Sequence, residues 1–392
     1  MKIWLQTGIV LASMLQLAGC KGFFNVPTTT VCTTNCTTTI SSGTFYVLNS
    51  NAGQVEIAAY SIVNSALTPL TGSPYSLPSG PYAIAIAPNN NFLYVSTQSG
   101  IYLYTIGASG ALTLASKTPV SSDFAATSLQ VDATNSWLLD ASASGYLYAI
   151  PVNSLTGKTT GAVHQISLAG ITPRQLAISP DNKNVFVTLG GSGTEVIPFT
   201  AANSDPLPTT ARAPIPVKGN GGMALAVAVD PTNSLVYLGE TLGISESSNT
   251  GVLRAFLYKS LTGTPSEIGG SPFASGGLTP VSILPSAGGA YLYVANSTVS
   301  NSSTGNIAGF SVTATGTNYS LASLNATVSG GTSPAGLAED STGSVVLLVN
   351  SGGSPDLNVY TFDTTNQGSL DSALTFATGT DPVGALAIAA TP

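Results

Sequence analysis

A unit of about 50 residues recurs along residues 44 to 392, and no other feature constrains this chain as strongly. Its clearest half is a run of small apolar residues, a turn, then an aromatic-rich run. Pro81 to Pro88 is followed in this way by Phe92-Leu93-Tyr94-Val95, and Pro173 to Pro180 by Val185-Phe186-Val187. Ala224 to Pro231 precedes Leu235-Val236-Tyr237-Leu238, and Pro280 to Pro285 precedes Tyr291-Leu292-Tyr293-Val294. Weaker copies begin at Thr127 and Pro334. The runs are β-branched and aromatic, and the Pro, Asn and Asp between them suit tight reversals, so each unit predicts two antiparallel strands. A third strand carries one aromatic per unit: Tyr60, Tyr104, Tyr148, Phe199, Phe256, Phe310 and Tyr360, spaced 44 to 57 residues apart. These read as core side chains wedged between neighbouring sheets.

Units of this length with several short strands predict an all-β fold, either a β-propeller or a solenoid. The ends of the repeat region favour the propeller. It begins at Phe45-Tyr46-Val47-Leu48, a second strand with no first, and finishes on Pro382 to Ala389, a first strand with no second. Pairing the two completes one blade and closes a seven-bladed ring with no long open edge.

Composition narrows the function. Charged residues are 7% of the chain, 10 Lys+Arg against 17 Asp+Glu for a net charge of −7. That sparse, acidic balance argues against a nucleic-acid partner, which demands clustered cations. One histidine, His164, and three cysteines leave no material for a His- or Cys-rich metal site, and no cofactor motif is present. His164 lies in Ala162-Val163-His164-Gln165-Ile166, an expected outer strand far from a central channel.

Residues 1 to 20 read as a signal peptide: Lys2, an apolar stretch through Leu17, then Leu17-Ala18-Gly19-Cys20. The last four resemble the bacterial lipobox, which implies lipidation of Cys20 and a membrane anchor. Lys21, a non-acidic residue after that cysteine, implies an outer-membrane or cell-surface lipoprotein. Residues 21 to 43 form a Thr-rich tether that holds a candidate disulfide, Cys32 with Cys36. The expected organisation is a leader (1–20), a tether (21–43) and a monomeric propeller (44–392).

At Phe92-Leu93-Tyr94-Val95, at Tyr291 to Asn296, and at the pair Gly72-Ser73-Pro74-Tyr75 and Gly270-Ser271-Pro272-Phe273, the chain resembles the lactonase-like seven-bladed propellers with YVTN-type repeats. This superfamily includes 6-phosphogluconolactonase and carboxy-muconate cyclase. The resemblance covers 44 to 392 and specifies the fold better than the chemistry. Its enzymes carry Pro-Arg-His at the start of an inner strand and a glutamate after the second strand of that blade. Here Pro173-Arg174 matches, Gln175 replaces the histidine, and Leu189-Gly190 falls where the glutamate belongs. Ala126, Thr127 and Ser128 replace histidines expected in an earlier blade.

Arg174 and Glu240 are therefore the candidate catalytic pair: an anion-holding fork and a carboxylate that burial could make a base. Gln98, Gln175, Asn296 and Asn350, with Asn49, are candidate rim residues for a ligand. The expected function is a non-catalytic, lipid-anchored binding or scaffold module for a protein or glycan. The alternative is a lactone hydrolase with a rearranged site.

Overall fold

Each repeat folds into a small antiparallel sheet because its second strand is apolar on both faces and must be covered twice. In the computed structural model, residues 43–392 are described, apart from 52, 64–65, 123–125, 171–172, 211–212, 233–234, 243–250, 259–264, 300–301, 354, 372, 380, 385–386 and 392. The signal peptide, Cys20 and the Cys32–Cys36 pair lie outside the described residues.

Seven sheets form, and no helix occurs among the described residues. Blade I pairs Ile388–Ala390 with Thr44–Asn51, which pairs with Gln54–Val63 and then Ala66–Pro69. From the inside outwards, blade II is Pro81–Ile86, Phe92–Thr97, Gly100–Ile106 and Leu112–Leu114. Blade III is Ala126–Val131, Trp137–Ser142, Tyr146–Pro151 and His164–Ser167. Blade IV has three strands, Leu176–Ile178, Asn184–Thr188 and Thr194–Pro198; its outer edge is a single bridge from Thr194 to Ile215. Blade V is Met223–Val229, Leu235–Thr241, Gly251–Leu257 and Ser266–Glu267. Blade VI runs Pro280–Pro285, Tyr291–Asn296, Thr304–Thr315 and Asn318–Thr332, and blade VII Pro334–Glu339, Val345–Asn350, Leu357–Thr361 and Leu374–Phe376. The inner strands neighbour one another in this order, and the seventh neighbours the first.

The ring closes as the two half-units predict. Phe45, Tyr46 and Val47 lie opposite Ala390, Ala389 and Ile388. Leu48 N–H donates to Ala387 O at 2.7 Å, and Asn49 bridges Pro382. Regular pairing is shorter than the expected 382–389 strand. Gly384, at φ 142°, leaves strand geometry and interrupts the ladder.

Packing explains the repeat's aromatic content. In Phe92–Thr97 all six residues are buried. Leu93 and Val95 pack towards blade I, Phe92 and Tyr94 towards blade III. The tyrosine of this strand also clamps the next blade. Tyr46, Tyr94 and Tyr293 donate their hydroxyls at 2.7, 2.7 and 2.8 Å to the carbonyls of Gly110, Gly157 and Gly368. Those three glycines have φ of 79°, 67° and 81°, and a Cβ on Gly157 would stand 2.7 Å from the Phe92 ring. Of the seven aromatics expected on third strands, six are buried, Phe199 standing one residue past its strand; Tyr148 is half-buried and lies 5.9 Å from the Tyr146 ring. Aspartates hold the reversals between first and second strands: Asp132 accepts the N–H groups of Thr134, Ser136 and Trp137 at 2.7 to 2.9 Å.

Candidate functional site

The inner strands carry a repeated irregularity that builds the mouth of the channel. In five blades the register skips one residue just after the strand opens: Tyr82, Thr127, Leu225, Val281 and Ala335. A bulge of this kind turns a side chain out of the sheet. Tyr82, Thr127, Leu225 and Val281 meet Arg174 of blade IV and Val383 of blade I around one funnel, a cavity of about 260 Å3.

Gln175 also lines the funnel but is buried. It stands two residues after Pro173 and just before the strand Leu176–Ile178, at the place where blades III and VI carry Ser128 and Ser282. All three side chains accept the backbone N–H of the next inner strand: Ser128 from Leu176 at 3.0 Å, Gln175 from Val227 at 3.2 Å, and Ser282 from Leu337 at 3.1 Å. Gln175 does more than the serines. Its Nε2 reaches past blade V and donates to Val281 O at 2.7 Å. Gln175, which stands where the resemblance implies a histidine, is thus a cross-tie of the ring.

Arg174 is exposed at the mouth, and its side chain makes no hydrogen bond or ion pair with the described residues. Only its backbone is held, by N–H donation to Thr188 O at 2.8 Å. Its guanidinium is free to take an anion.

Glu240 does not join it. The carboxylate is fully buried inside blade V, where Arg254 Nη1 donates to it at 3.1 Å and Lys218 N–H at 2.8 Å. The same guanidinium grips Glu267 with two bonds of 2.9 Å, donates to Pro216 O at 2.8 Å, and lies 4.7 Å from the Phe256 ring centre. Burial pushes the Glu240 pKa up, against the pull of Arg254 and the Lys218 amide. Glu267 is held below its ordinary value, chiefly by its bonds from Arg254. The arrangement is a buried Glu240–Arg254 pair, extended to the exposed Glu267, that ties the strap at 216–218 to blade V.

The expected rim also divides. Asn296 and Asn350 are fully buried, like Asn49. Asn296 Nδ2 donates to Ser275 O and Asn306 Oδ1 at 2.8 and 2.9 Å; Asn350 Nδ2 donates to Pro355 O and Asn358 Oδ1 at 2.9 and 2.7 Å. These amides cap loop backbone and connect strands. Gln98 is exposed at the corresponding turn of blade II, outside the funnel lining. His164 lies on the outer strand of blade III, 3.2 Å from Asp205.

Sequence reasoning named Thr127, Arg174 and Gln175 but missed Tyr82, Leu225, Val281 and Val383. The signal was present: each missed residue follows the Pro or Ala that opens the first run of a repeat (Pro81, Ala224, Pro280 and Pro382), as Arg174 follows Pro173.

No family model and no curated protein matches the chain. Solved structures do. A candidate 6-phosphogluconolactonase from Bacteroides uniformis is 18% identical with a TM-score of 0.68, over 89% of this chain and 99% of that one. A second, from Bacteroides fragilis, is 16% identical with a TM-score of 0.70, over 91% and 100%. The periplasmic gluconolactonase of Pseudomonas aeruginosa is 17% identical with a TM-score of 0.67, over 90% and 99%. The chain has the seven-bladed fold of these lactonase-like propellers.

Proposed function

We propose that this protein is a non-catalytic binding module of the cell envelope, held to the membrane by a lipid on Cys20, with the funnel mouth as its recognition site. One observation carries the reading. The described residues lining the funnel include a free guanidinium but no carboxylate or imidazole to take a proton from water. Hydrolysis of a lactone calls for both a proton acceptor and an oxyanion partner. Here the second is on offer without the first, because Gln175 fills the histidine position and Glu240 is enclosed by Arg254.

The likeness to gluconolactonases supports a second reading, a lactone hydrolase centred on Arg174. A panel of sugar lactones and 6-phosphogluconolactone, offered to the full-length chain and to Arg174→Ala, separates the two. No turnover above background is expected. Turnover lost in Arg174→Ala would establish the hydrolase. Anchoring is tested separately: Cys20→Ser should release the protein from the membrane fraction and abolish incorporation of labelled fatty acid.

A further inference from the structure

Resting on that reading of the funnel as a binding site, we infer that its ligand is a small monocarboxylic acid with an apolar body.

Thr127 Oγ1 already donates within the fold, 2.7 Å from Ala141 O and 3.1 Å from Pro173 O. Gln175 uses its amide N–H on Val281 O and its oxygen on Val227 N–H. Among the described lining residues, Arg174 and Tyr82 are the polar side chains engaged with nothing. The rest of the wall is Pro173, Leu225, Val281, Val383 and Gly384, with the Tyr82 side chain, which is 43% exposed.

A sugar or polyol entering this cup would leave most of its hydroxyls unpaired against apolar walls, which is costly. Phosphate carries more charge than one guanidinium offsets, and no second cation lines the funnel among the described residues. A carboxylate matches the fork of Arg174 in both charge and geometry. An aliphatic or aromatic body then covers Leu225 and Val281 and can lie on Tyr82. Size agrees: about 260 Å3 is below the roughly 300–1,000 Å3 of drug-sized sites, so a single short chain or one ring fits.

The test uses the full-length chain, with phenylacetate and hexanoate as probes. Benzyl alcohol and hexan-1-ol are the neutral counterparts; gluconate and inorganic phosphate are the polar ones. Binding is followed by saturation-transfer NMR and calorimetry. Both acids should bind, and Arg174→Gln should weaken them by about tenfold or more, the scale of a charged hydrogen-bonded pair. Arg174→Lys should recover only part of this, since the fork is lost. The alcohols should bind more weakly and ignore the substitution. Leu225→Ser should weaken the acids and leave gluconate unchanged. Because the Arg174 side chain bonds none of the described residues, its variants should melt like the parent.

Tighter binding of gluconate or phosphate than of either acid would overturn the ligand class while leaving the funnel as a site. Acid binding indifferent to Arg174→Gln, or no binding by any probe, would overturn the inference outright. Lactone turnover would instead sink the non-catalytic reading, whatever the acids do.

Discussion

Replacing Arg254 with methionine should destabilise the protein by about 3–5 kcal/mol at pH 7, the usual cost of stripping one partner from a buried ion pair. The structure supports that range. Methionine keeps the apolar stem but removes four bonds of 2.8 to 3.1 Å. Glu240, with no solvent exposure, is left among the described residues with the Lys218 amide at 2.8 Å. Over about 350 residues such a loss lowers the melting temperature by about 4–7 °C, since each kcal/mol corresponds to about 1.4 °C at this size. The defect should also depend on pH. Burial already raises the Glu240 pKa, and loss of Arg254 raises it further. A carboxyl raised in the folded state destabilises the fold as pH rises through its pKa and is harmless once protonated. The deficit should therefore shrink between pH 7 and pH 5. Adding Glu240→Gln should recover much of it, because no buried charge then remains. Thermal melts of the parent, both single variants and the double variant at the two pH values make the measurement. An Arg254→Met loss below about 1 kcal/mol, typical of an exposed pair, would refute the buried-pair reasoning, as would a loss identical at both pH values.

Other expectations follow from the same packing. Tyr94→Phe should cost about 1–2 kcal/mol by stranding the buried carbonyl of Gly157, and Tyr293→Phe should add to it independently, since the two clamps share no partner; chemical denaturation of the two single variants and the double checks both. A chain ending at residue 380 lacks the closing strand Ile388–Ala390 and exposes the edge of Thr44–Asn51, so it should melt well below the full chain or aggregate. Melting temperature should rise modestly as pH falls from 7 towards about 4.5, because burial raises the pKa values of Glu195, Glu240 and Glu339. Below that it should fall, as Glu267, held low by Arg254, takes up its proton; a steady loss from pH 7 downward would contradict the assignment.

Much of the architecture was legible in the amino-acid order. Strand periodicity, Pro- and Asp-marked reversals and one aromatic per unit announce a repeated sheet, because burial on two faces leaves a local pattern in each copy. Even the ring closure is written there, in a second strand at Phe45 to Leu48 and an unpaired first strand after Pro382. The funnel position was legible too, as the residue following each strand-opening Pro or Ala, although only the bulges show why that residue turns inward.

What the order could not disclose is which polar groups are free. Glu240 and Arg174 look alike in sequence, each a charge near the end of a strand in a neighbouring blade. Tertiary structure separates them: Glu240 meets Arg254 on the next strand and the Lys218 amide on a strap, while no described residue bonds the Arg174 side chain. Gln175 finds its second partner 106 residues away, and Asn49 donates to Thr378 O, 329 residues away. A propeller brings such distant segments together only when the ring closes. Strand identity depends on neighbours in sequence, and the chemistry of a polar side chain depends on neighbours in space.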